Sequence, residues 1–191
     1  MDVLVQPLNT FNEILVEDDY SVRMLHEFGD KSEYMDSEKI GELWNNFKRH
    51  DVLFNDEIKG NAEAFIDIMM DPRSVWMEIY SLSKEVPVGV FSISKVIPGF
   101  DGWAHFGFWD GKGRGKEDLS LRTARWVFDR YKLHRMSVEV PVNQSGTIRF
   151  IHRLGFSEEG IRREGTVRHG KWIDLLNFGL LRSELEEITD G

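Results

Sequence analysis

The stretch Trp103 to Glu117, WAHFGFWDGKGRGKE, decides the fold, because a strand pattern runs through it into a glycine-rich turn and then a helix. From 103 to 109 the residues alternate with a period of two, which is typical of a strand with one aromatic face buried. The glycines that follow let the backbone bend tightly and bring successive N–H groups close to a ligand. Because helical periodicity begins at Lys116, these N–H groups lie at a helix N-terminus, which favours anions. The turn predicted to bind phosphate consists of Gly111, Lys112, Gly113, Arg114, Gly115 and Lys116.

Two common nucleotide-binding loops do not fit the spacing of this turn. A Walker loop needs Ser or Thr after its Gly-Lys pair to hold magnesium, but Gly113 and Glu117 follow the two lysines. The dinucleotide fingerprint needs another glycine three positions after Gly113, and Lys116 stands there. The remaining interpretations are a phosphate cradle of another kind and a β-bulge or tight turn without a ligand.

The turn resembles the pyrophosphate loop of the GCN5-related N-acetyltransferases, written Gln/Arg-x-x-Gly-x-Gly/Ala. Gly113 and Gly115 take the two small positions, and Asp110 stands where Gln or Arg is usual. The resemblance extends in order over roughly residues 86 to 182 and is to the ribosomal-protein N-terminal acetyltransferase branch of that superfamily. The matching motifs are Ala104-His105-Phe106-Gly107-Phe108-Trp109 (A-E-I-G-Y-W in the branch), Gly111-Lys112-Gly113 (G-K-G), Glu117, Leu133-His134-Arg135 (L-H-R), Asn143, Arg153-Leu154-Gly155-Phe156 (K-L-G-F), Glu159-Gly160-Ile161-Arg162 (E-G-x-R) and Gly170-Lys171-Trp172-Ile173-Asp174 (G-x-W-x-D).

The sequence departs from the family pattern at three places. The loop after Trp109 is several residues shorter than usual, and the segment from Asn143 to Phe156 is one residue longer. Both differences can move the cofactor. Many superfamily members carry a tyrosine as general acid five residues before the Phe of their Gly-Phe pair, where this sequence has Ile151. That acid is therefore missing.

The resemblance implies an α+β fold of the N-acetyltransferase (GNAT) kind, with a mixed, mostly antiparallel central sheet that is flanked by helices and splayed at the cofactor site. No internal repeat or linker interrupts the 191 residues, so a single domain is expected over 1–191. Residues 1–74 are expected to form acceptor-side helices and the first strand, and residues 75–182 the cofactor-binding core. The implied reaction transfers an acetyl group from acetyl-CoA to a primary amine, without a metal.

The acceptor amine must lose a proton before it attacks, because its ammonium has a pKa near 10 if lysine-like or about 8 if an α-amine. His105 takes the position where the family often has a glutamate, and neutral imidazole is suited to proton removal near pH 7. Glu139 and Glu78 are alternative bases, and His105 can instead be a packed strand residue. Ser145 or Thr147 is a candidate donor to the leaving thiolate, since the family often has Ser near this point, although such residues also cap helices.

The remaining cofactor contacts are expected at the strand end and at the turn. Backbone N–H groups near Phe108 and Trp109 would stabilise the thioester carbonyl. The pantetheine arm would add like a strand between Trp109 and Pro141, because proline removes a ladder donor and ends pairing. The cations of the turn would attract the phosphates, unless they are solvated surface. The residues assigned to the cofactor are Phe108, Trp109, Gly111, Lys112, Gly113, Arg114, Gly115, Lys116 and Asn143.

Hydrophobic periodicity and capping signals predict the other elements of the chain. Residues 3–8 and 14–28 can be strands or a strand followed by a helix, and the polar segment 183–191 is expected to fray. The first predicted helix begins at Ser37, and the second follows an Asn61 cap, with Phe65, Ile68 and Met69 on its apolar face. The third begins at Lys116 and is expected to have roughly 12 to 15 residues, and the fourth runs from about Ser145 to Leu154, with Gly155 as its C-cap. The predicted strands cover 75–81, 88–94, 103–109, 136–142 and a hairpin over 157–181 that turns at His169-Gly170.

The composition excludes several classes of protein. With 41% hydrophobic and 30% charged residues, the chain is neither disordered nor membrane-like. No apolar run approaches the roughly 20 residues of a membrane span, and the start MDVLVQPLNT lacks a basic leader, so a cytoplasmic protein is expected. The absence of cysteine excludes disulfides and a thiol nucleophile, and the six histidines show no metal-ligand spacing.

The two halves of the chain differ in charge. Residues 1–100 carry 9 Lys and Arg against 19 Asp and Glu, whereas residues 101–191 carry 15 against 14. The first half therefore repels nucleic acid and attracts cations, and the second half can accept an anionic ligand. This division predicts an anionic cofactor and a cationic acceptor, unless the acidic surface only aids solubility.

Three functions from different classes stay open at this point. The first is an acetyl-CoA-dependent N-acetyltransferase that acts on a protein N-terminus or a small cationic amine. The second is a CoA-binding or regulatory module without turnover, which Asp110, the short loop and the absent tyrosine motivate. The third is modification of a nucleic-acid base, which the acidic first half argues against. The sequence leaves the oligomeric state open, a homodimer included, and gives no sign of a membrane partner.

Overall fold

The computed structural model describes residues 13–29, 37–50, 56–59, 61–109 and 115–190. Strands dominate these ranges, and helices fill the connections between them. In chain order the elements are β1 (Glu13–Glu17), β2 (Tyr20–His26), α1 (Ser37–His50), α2 (Asp56–Lys59), α3 (Ala62–Met69), β3 (Val75–Ser81), β4 (Val86–Ile97), β5 (Asp101–Phe108), α4 (Glu117–Tyr131), β6 (Arg135–Pro141), α5 (Ser145–Arg153), β7 (Ser157–Arg168), β8 (Lys171–Leu181) and α6 (Arg182–Asp190).

The eight strands form one sheet in the order β1-β2-β3-β4-β5-β6-β8-β7. Neighbouring strands are antiparallel except β5 and β6, which run parallel because α4 crosses over between them. The predicted α+β architecture, with a mixed and mostly antiparallel sheet, is confirmed. The last strand, β8, lies between β6 and β7 rather than at the sheet edge.

The sheet is splayed between β5 and β6, both of which the structure describes in full. The β4–β5 ladder has seven pairs, whereas β5 and β6 share only Trp103↔Ser137. Beyond that pair, β5 continues to Phe108 and β6 to Pro141. We call the space between these two ends the β5–β6 gap. Pairing of β6 with β8 ends at Pro141, opposite Leu175, as predicted for one side of the strand, whereas pairing with β5 has already stopped at Ser137.

The two faces of the sheet pack against different helices. The α1 face carries Trp76, Ser92 and His105, which stand opposite one another on β3, β4 and β5. It is covered by an aromatic-rich cluster with α1 and α3, made of Leu25, Leu43, Phe47, Phe65, Met69, Trp76 and Val90. The opposite side, the α4 face, carries Phe91 and Phe106 and packs on the larger core, to which α4 and α5 contribute Val127, Phe128, Phe150 and Ile151.

Most predicted elements have the expected bounds and caps. The Asn61 side chain accepts the N–H of Ala64 at 3.1 Å and so caps α3. Helix α4 has 15 residues, which agrees with the predicted 12 to 15, roughly. Gly155 follows α5 with φ +84°, the left-handed conformation expected of a glycine that ends a helix.

Four expectations about elements need correction or completion. Residues 13–26 form the β1–β2 hairpin and contain no helix, whereas residues 3–8 lie outside the described residues. Helix α2 was not predicted, and Ile68, assigned to the apolar face of α3, is 38% exposed. The terminal segment does not fray but forms α6, because Leu185 is fully buried and Glu184 Oε2 accepts the N–H of Leu181 at 2.8 Å.

Among the described helices, none has the length and apolar character needed to cross a bilayer.

Candidate active site

His105 lies on the α1 face of β5, the strand that borders the β5–β6 gap. Its Nε2 lies 3.2 Å from Ser94 Oγ on β4. Burial of the imidazole, with a smaller contribution from the charge of Lys95, lowers the pKa of His105 to about 4. At pH 7 the side chain is therefore neutral and able to accept a proton, although it is a weak base.

Trp76 and Ser92, which stand opposite one another and in line with His105 across β3, β4 and β5, each carry a buried polar atom. Trp76 is 5% exposed and Ser92 is 1% exposed. Within the described part of the chain, neither Trp76 Nε1 nor Ser92 Oγ has a hydrogen-bond partner. Because burying such groups without a partner is costly, the two atoms offer hydrogen bonds to a polar group that enters from the α1 face.

Glu139, one of the alternative bases, faces His105 across the gap. His105 is two residues beyond Trp103 and Glu139 is two beyond Ser137, so the parallel register places both side chains at the same level on the α1 face. Arg162 Nη1 of β7 lies 3.2 Å from Glu139 Oε1. The carboxylate is thus next to the gap but engaged in an ion pair.

Glu78, the other alternative base, is buried on β3 of the same face. It is 1% exposed, and its Oε1 accepts a hydrogen bond from Lys39 Nζ at 2.8 Å. Lys39 also donates to Glu42 at 2.8 Å. Burial alone would lower the pKa of Lys39, but the hydrogen bonds to Glu42 and Glu78 outweigh it and raise the pKa. The ammonium therefore stays charged.

The backbone of β5 directs alternate amides into the gap. The N–H of Trp109 donates to the carbonyl of Val88 at 2.9 Å, and hydrogen-bonded pairs alternate along an antiparallel ladder. The N–H groups of Phe106 and Phe108 therefore point away from β4, towards β6. Of the two amides predicted to bind the thioester carbonyl, only that of Phe108 faces the gap. Trp109 uses its indole N–H as well, which donates to the carbonyl of Pro87 at 2.8 Å.

Part of the predicted phosphate turn is described by the structure. The N–H of Gly115 donates to Glu117 Oε2 at 2.7 Å, and Arg153 Nε donates to Glu117 Oε1 at 2.7 Å. Burial alone would raise the pKa of Glu117, but hydrogen bonds from its own amide, Arg153 and Gly115 lower it. The amide of Gly115 is thus engaged by a side chain of the protein itself. The other predicted residues of the turn, Gly111, Lys112, Gly113 and Arg114, lie outside the described residues.

Lys116 is buried rather than solvated. Only 6% of the residue is exposed, and its Nζ lies 5.3 Å from the ring centroid of Phe108 and 5.4 Å from that of Tyr20. An ammonium over an aromatic ring is attracted by the ring quadrupole. The charge of Lys116 therefore lies beside the last residue of β5.

The predicted residues near the thiolate lie where β6 passes into α5. Asn143 is exposed in the turn after β6, and Ser145 is the exposed first residue of α5. Thr147 is half-buried and donates to Gln144 Oε1 at 3.3 Å. Because β5 and β6 are parallel, α4 and α5 begin at the same edge of the sheet, beside the gap, where ligands bind in open sheets.

A hydrogen-bonded bridge connects the parts of the molecule on either side of the gap. Asp56 of α2 accepts the N–H groups of His169 and Gly170, at the tip of the β7–β8 hairpin, at 2.7 and 2.6 Å. Helix α2 lies in the chain between α1 and α3, which pack on the strands before the gap. The bridge therefore ties these helices to the hairpin that follows the gap.

The sequence reasoning did not assign roles to three residues of this region. Lys39 and Arg162 hold the carboxylates of the two alternative bases, and Asp56 holds the hairpin. Only Arg162 had a signal in the sequence, since it is the arginine of the E-G-x-R motif. Asp56 is 113 residues from its partner His169 in the chain, so no local pattern could reveal the contact.

No protein-family model matches the chain. The probable N-acetyltransferase YjcK of Bacillus subtilis (strain 168) is 26% identical over 113 residues, which are 57% of this chain and 62% of that protein. The chain thus matches less than two thirds of the length of this relative.

Several solved structures share the fold. The ribosomal-protein-S5-alanine acetyltransferase of Vibrio fischeri has a TM-score of 0.64 at 17% identity, over 87% of this chain and 95% of that one. The spermidine N-acetyltransferase of Vibrio cholerae, in complex with CoA and spermine, has a TM-score of 0.67 at 14% identity, over 87% and 98%. A probable acetyltransferase has a TM-score of 0.70 at 16% identity, over 90% and 98%. The chain therefore has the α+β fold of the GNAT acetyltransferases.

Proposed function

We propose that this protein is an N-acetyltransferase that transfers the acetyl group of acetyl-CoA to a primary amine, on a protein N-terminus or a small cationic molecule. The observation that carries the proposal is the β5–β6 gap, where strand amides face an opening between the starts of two helices. An extended thioester arm can add to such an open strand through backbone hydrogen bonds. The similar proteins, named for acetylation of a protein alanine and of spermidine, support an amine acceptor.

The amide of Phe108 is proposed to hold the thioester carbonyl. Its N–H would donate to the carbonyl oxygen as negative charge develops there, and the strand fixes the donor before the reaction. The amine nitrogen attacks the carbonyl carbon, the C–N bond forms, and the C–S bond breaks with its electron pair on sulfur. A thiol pKa near that of cysteine, about 8.5, makes the thiolate a fair leaving group. Ser145 and Thr147, at the start of α5, are the proposed donors to it.

His105 is the proposed first acceptor of the amine proton, directly or through water. It borders the gap on the α1 face, from which an amine approaches if the cofactor fills the gap. With a pKa of about 4, His105 cannot hold the proton of an amine of pKa about 8 to 10, which would cost roughly 5 to 8 kcal/mol. The proton is therefore proposed to pass onward, by way of Glu139 across the gap, to solvent or to the departing thiolate, whose thiol has a pKa of about 8.5.

The phosphates are proposed to bind at the start of α4. The amide of Gly115 is engaged by Glu117, so the binding groups are expected among the glycine amides and cations before it, with Asn143 on the opposite side of the gap. The residues proposed to hold the cofactor tail are Gly111, Lys112, Gly113 and Arg114.

The proposal is tested in two steps. Calorimetry with CoA should show binding, and acetyl-CoA should release free thiol in the presence of a panel of peptides, polyamines and aminoglycosides. The variant His105→Ala should lower turnover about 100-fold or more if the imidazole relays the proton. The variant His134→Ala, which changes an exposed histidine away from the gap, is the control. An unchanged rate in folded His105→Ala would remove this residue from the mechanism.

One observation favours a second candidate, a CoA-binding module without turnover. His105 is weakly basic, and both alternative carboxylates are held by cations. Tight CoA binding without thiol release across the whole panel would favour this candidate. Acetyl transfer to DNA or RNA alone would instead exclude both the amine acetyltransferase and the CoA-binding module.

A further inference from the structure

The acidic residues of the central strands are few and lie on one face. Strands β3 to β6, which the structure describes completely, carry three acidic residues, Glu78, Asp101 and Glu139. The register places each of them on the α1 face, which also carries Trp76, Ser92 and His105. These carboxylates are therefore the acidic groups that strands β3 to β6 carry on the face from which a cationic acceptor would approach.

Each of the three carboxylates is matched by a cation of the protein. Lys39 Nζ lies 2.8 Å from Glu78, and Arg162 Nη1 lies 3.2 Å from Glu139. Asp101 accepts hydrogen bonds from Ser137 Oγ at 3.2 and 3.1 Å, and Arg135 Nε lies 3.8 Å from it. The partners come from α1, β6 and β7, so distant parts of the chain converge to neutralise this face.

The carboxylates of the central strands are offset by cations of the protein. Lys95 lies near enough to His105 for its charge to lower the pKa of that imidazole, and the imidazole itself is neutral. Against the three carboxylates stand Lys39, Arg135, Arg162 and Lys95, of which Lys39 also pairs with Glu42 and Arg135 with Glu159. A second ammonium brought in by the acceptor would find no unmatched carboxylate on β3 to β6.

The second charge of a polyamine would reach these groups. Strands lie about 4.8 Å apart and rise about 3.4 Å per residue, so the Cα of Glu78 is roughly 12 Å from that of His105, and Glu139 is nearer. A charge at such a distance over a partly buried face interacts more strongly than it would in water. The ion pairs therefore influence which acceptor binds.

We infer that Lys39 and Arg162 set acceptor specificity by neutralising Glu78 and Glu139, so that the site takes an amine whose reacting group is its only positive charge and disfavours polyamines. This inference rests on the proposed acetyltransferase function. It makes the two cations specificity-determining residues rather than catalytic ones.

The test compares acceptors that differ only in a second charge. Hexylamine and hexamethylenediamine form one pair, and two short peptides identical except for Ser or Lys at the third position form another. The protein should use the singly charged member of each pair with a kcat/KM at least about ten-fold higher. A diamine used as well as the monoamine would overturn the inference.

Variants then assign the preference to the ion pairs. Lys39→Ala should reduce the preference about ten-fold or reverse it, through a lower KM for the diamine, because Glu78 is unmasked. The double variant Lys39→Ala/Glu78→Gln should restore the parental preference. Arg73→Ala removes a cation from an ion pair with Asp71 outside the site and should change nothing.

The inference can also be tested if Lys39→Ala does not fold or if the protein acetylates no amine. Glu139 is 24% exposed at its side chain, so Arg162→Ala leaves a hydrated carboxylate and should show the same change if Lys39→Ala does not fold. If no amine is acetylated, the proposed function fails, and calorimetry of the same acceptor pairs with the CoA-saturated protein tests the inference separately. Tighter binding of the diamine to the parent protein would then overturn it.

Discussion

His105 combines a suitable position with low basicity, and this combination bears on the choice of acceptor. At pH 7 about a tenth of an α-amine of pKa near 8 is already neutral, but only about one in 2,500 molecules of a lysine-like amine. A weak base is thus sufficient for an α-amine and poor for a polyamine. The position of His105 was predicted from the strand pattern and the resemblance. Its basicity was not, because burial and the charge of Lys95 arise only when the sheet forms.

The depressed pKa of His105 predicts an acid-sensitive stability. Above pH 6.5 the imidazole is neutral in both folded and unfolded states, so it has no effect. Between pH 6.5 and 4 only the unfolded state gains the proton, so the free energy of unfolding falls as pH falls, by up to about 3 kcal/mol. Urea unfolding at several pH values should show this loss in the parent protein and not in His105→Gln. Parallel curves for the two proteins would contradict the low pKa.

At the scale of elements, hydrophobic periodicity predicted the strands and helices that bury one regular face. Strands β3 and β6 and helices α4 and α5 were predicted to within one or two residues, because each buries one regular face against the sheet. Helix α6 was missed, since its sequence SELEEITD is mostly polar and, among its residues whose burial is described, only Leu185 is fully buried. Ile68 was misassigned because an apolar residue on a short helix can face solvent. These outcomes depend on neighbours that come from distant parts of the chain.

The Asp56 bridge predicts a local change in hydrogen exchange. Its carboxylate accepts two backbone N–H groups, and hydrogen bonds to a charged group contribute roughly 1.5 to 3 kcal/mol. In Asp56→Ala the amides of His169 and Gly170 should exchange about ten- to a hundred-fold faster, if they open locally.

Asp67→Ala is a matched control for that experiment, since it removes an exposed carboxylate from the neighbouring helix α3. Exchange measured by mass spectrometry should change only for the Asp56 variant. Unaltered protection at the hairpin tip would show that the bridge does not hold it in solution.

At the scale of the whole molecule, one core joins the two sides of the splayed sheet. The larger hydrophobic cluster contains Met77 and Phe91 from before the gap and Val138 and Phe178 from after it. The single ladder pair between β5 and β6 is therefore not the main connection between the two sides. A single domain over 1–191 remains a prediction that follows from this shared core.

Cooperative unfolding would test that prediction. Five of the six tryptophans precede β6, and Trp172 lies on β8. Tryptophan fluorescence therefore reports mainly on the part before the gap, whereas far-UV circular dichroism reports on all of the strands and helices. The two urea transitions should coincide if the protein unfolds as one unit. Separate midpoints would indicate two domains.

The net charge of residues 1–100 does not reveal which of their carboxylates are ion-paired in the folded protein. A net charge of −10 over residues 1–100 predicted attraction of a cationic acceptor. In the folded protein the carboxylates near the gap are matched by Lys39, Arg135 and Arg162, which lie far from them in the sequence or on other strands. Regional charge can be counted from a sequence, but ion pairing cannot.

The insertion of β8 between β6 and β7 has a consequence for synthesis on the ribosome. Strand β6 is complete at Pro141, but its antiparallel neighbour is complete only at Leu181. At about 5 to 20 residues per second, translation of the intervening segment takes roughly 2 to 8 seconds. During that interval the backbone N–H and C=O groups of β6 lack their partners on β8, and such an unpaired strand edge can pair with other chains. Pairing of β6 during synthesis therefore has to wait for β8, and a chaperone that shields β6 would act during that interval.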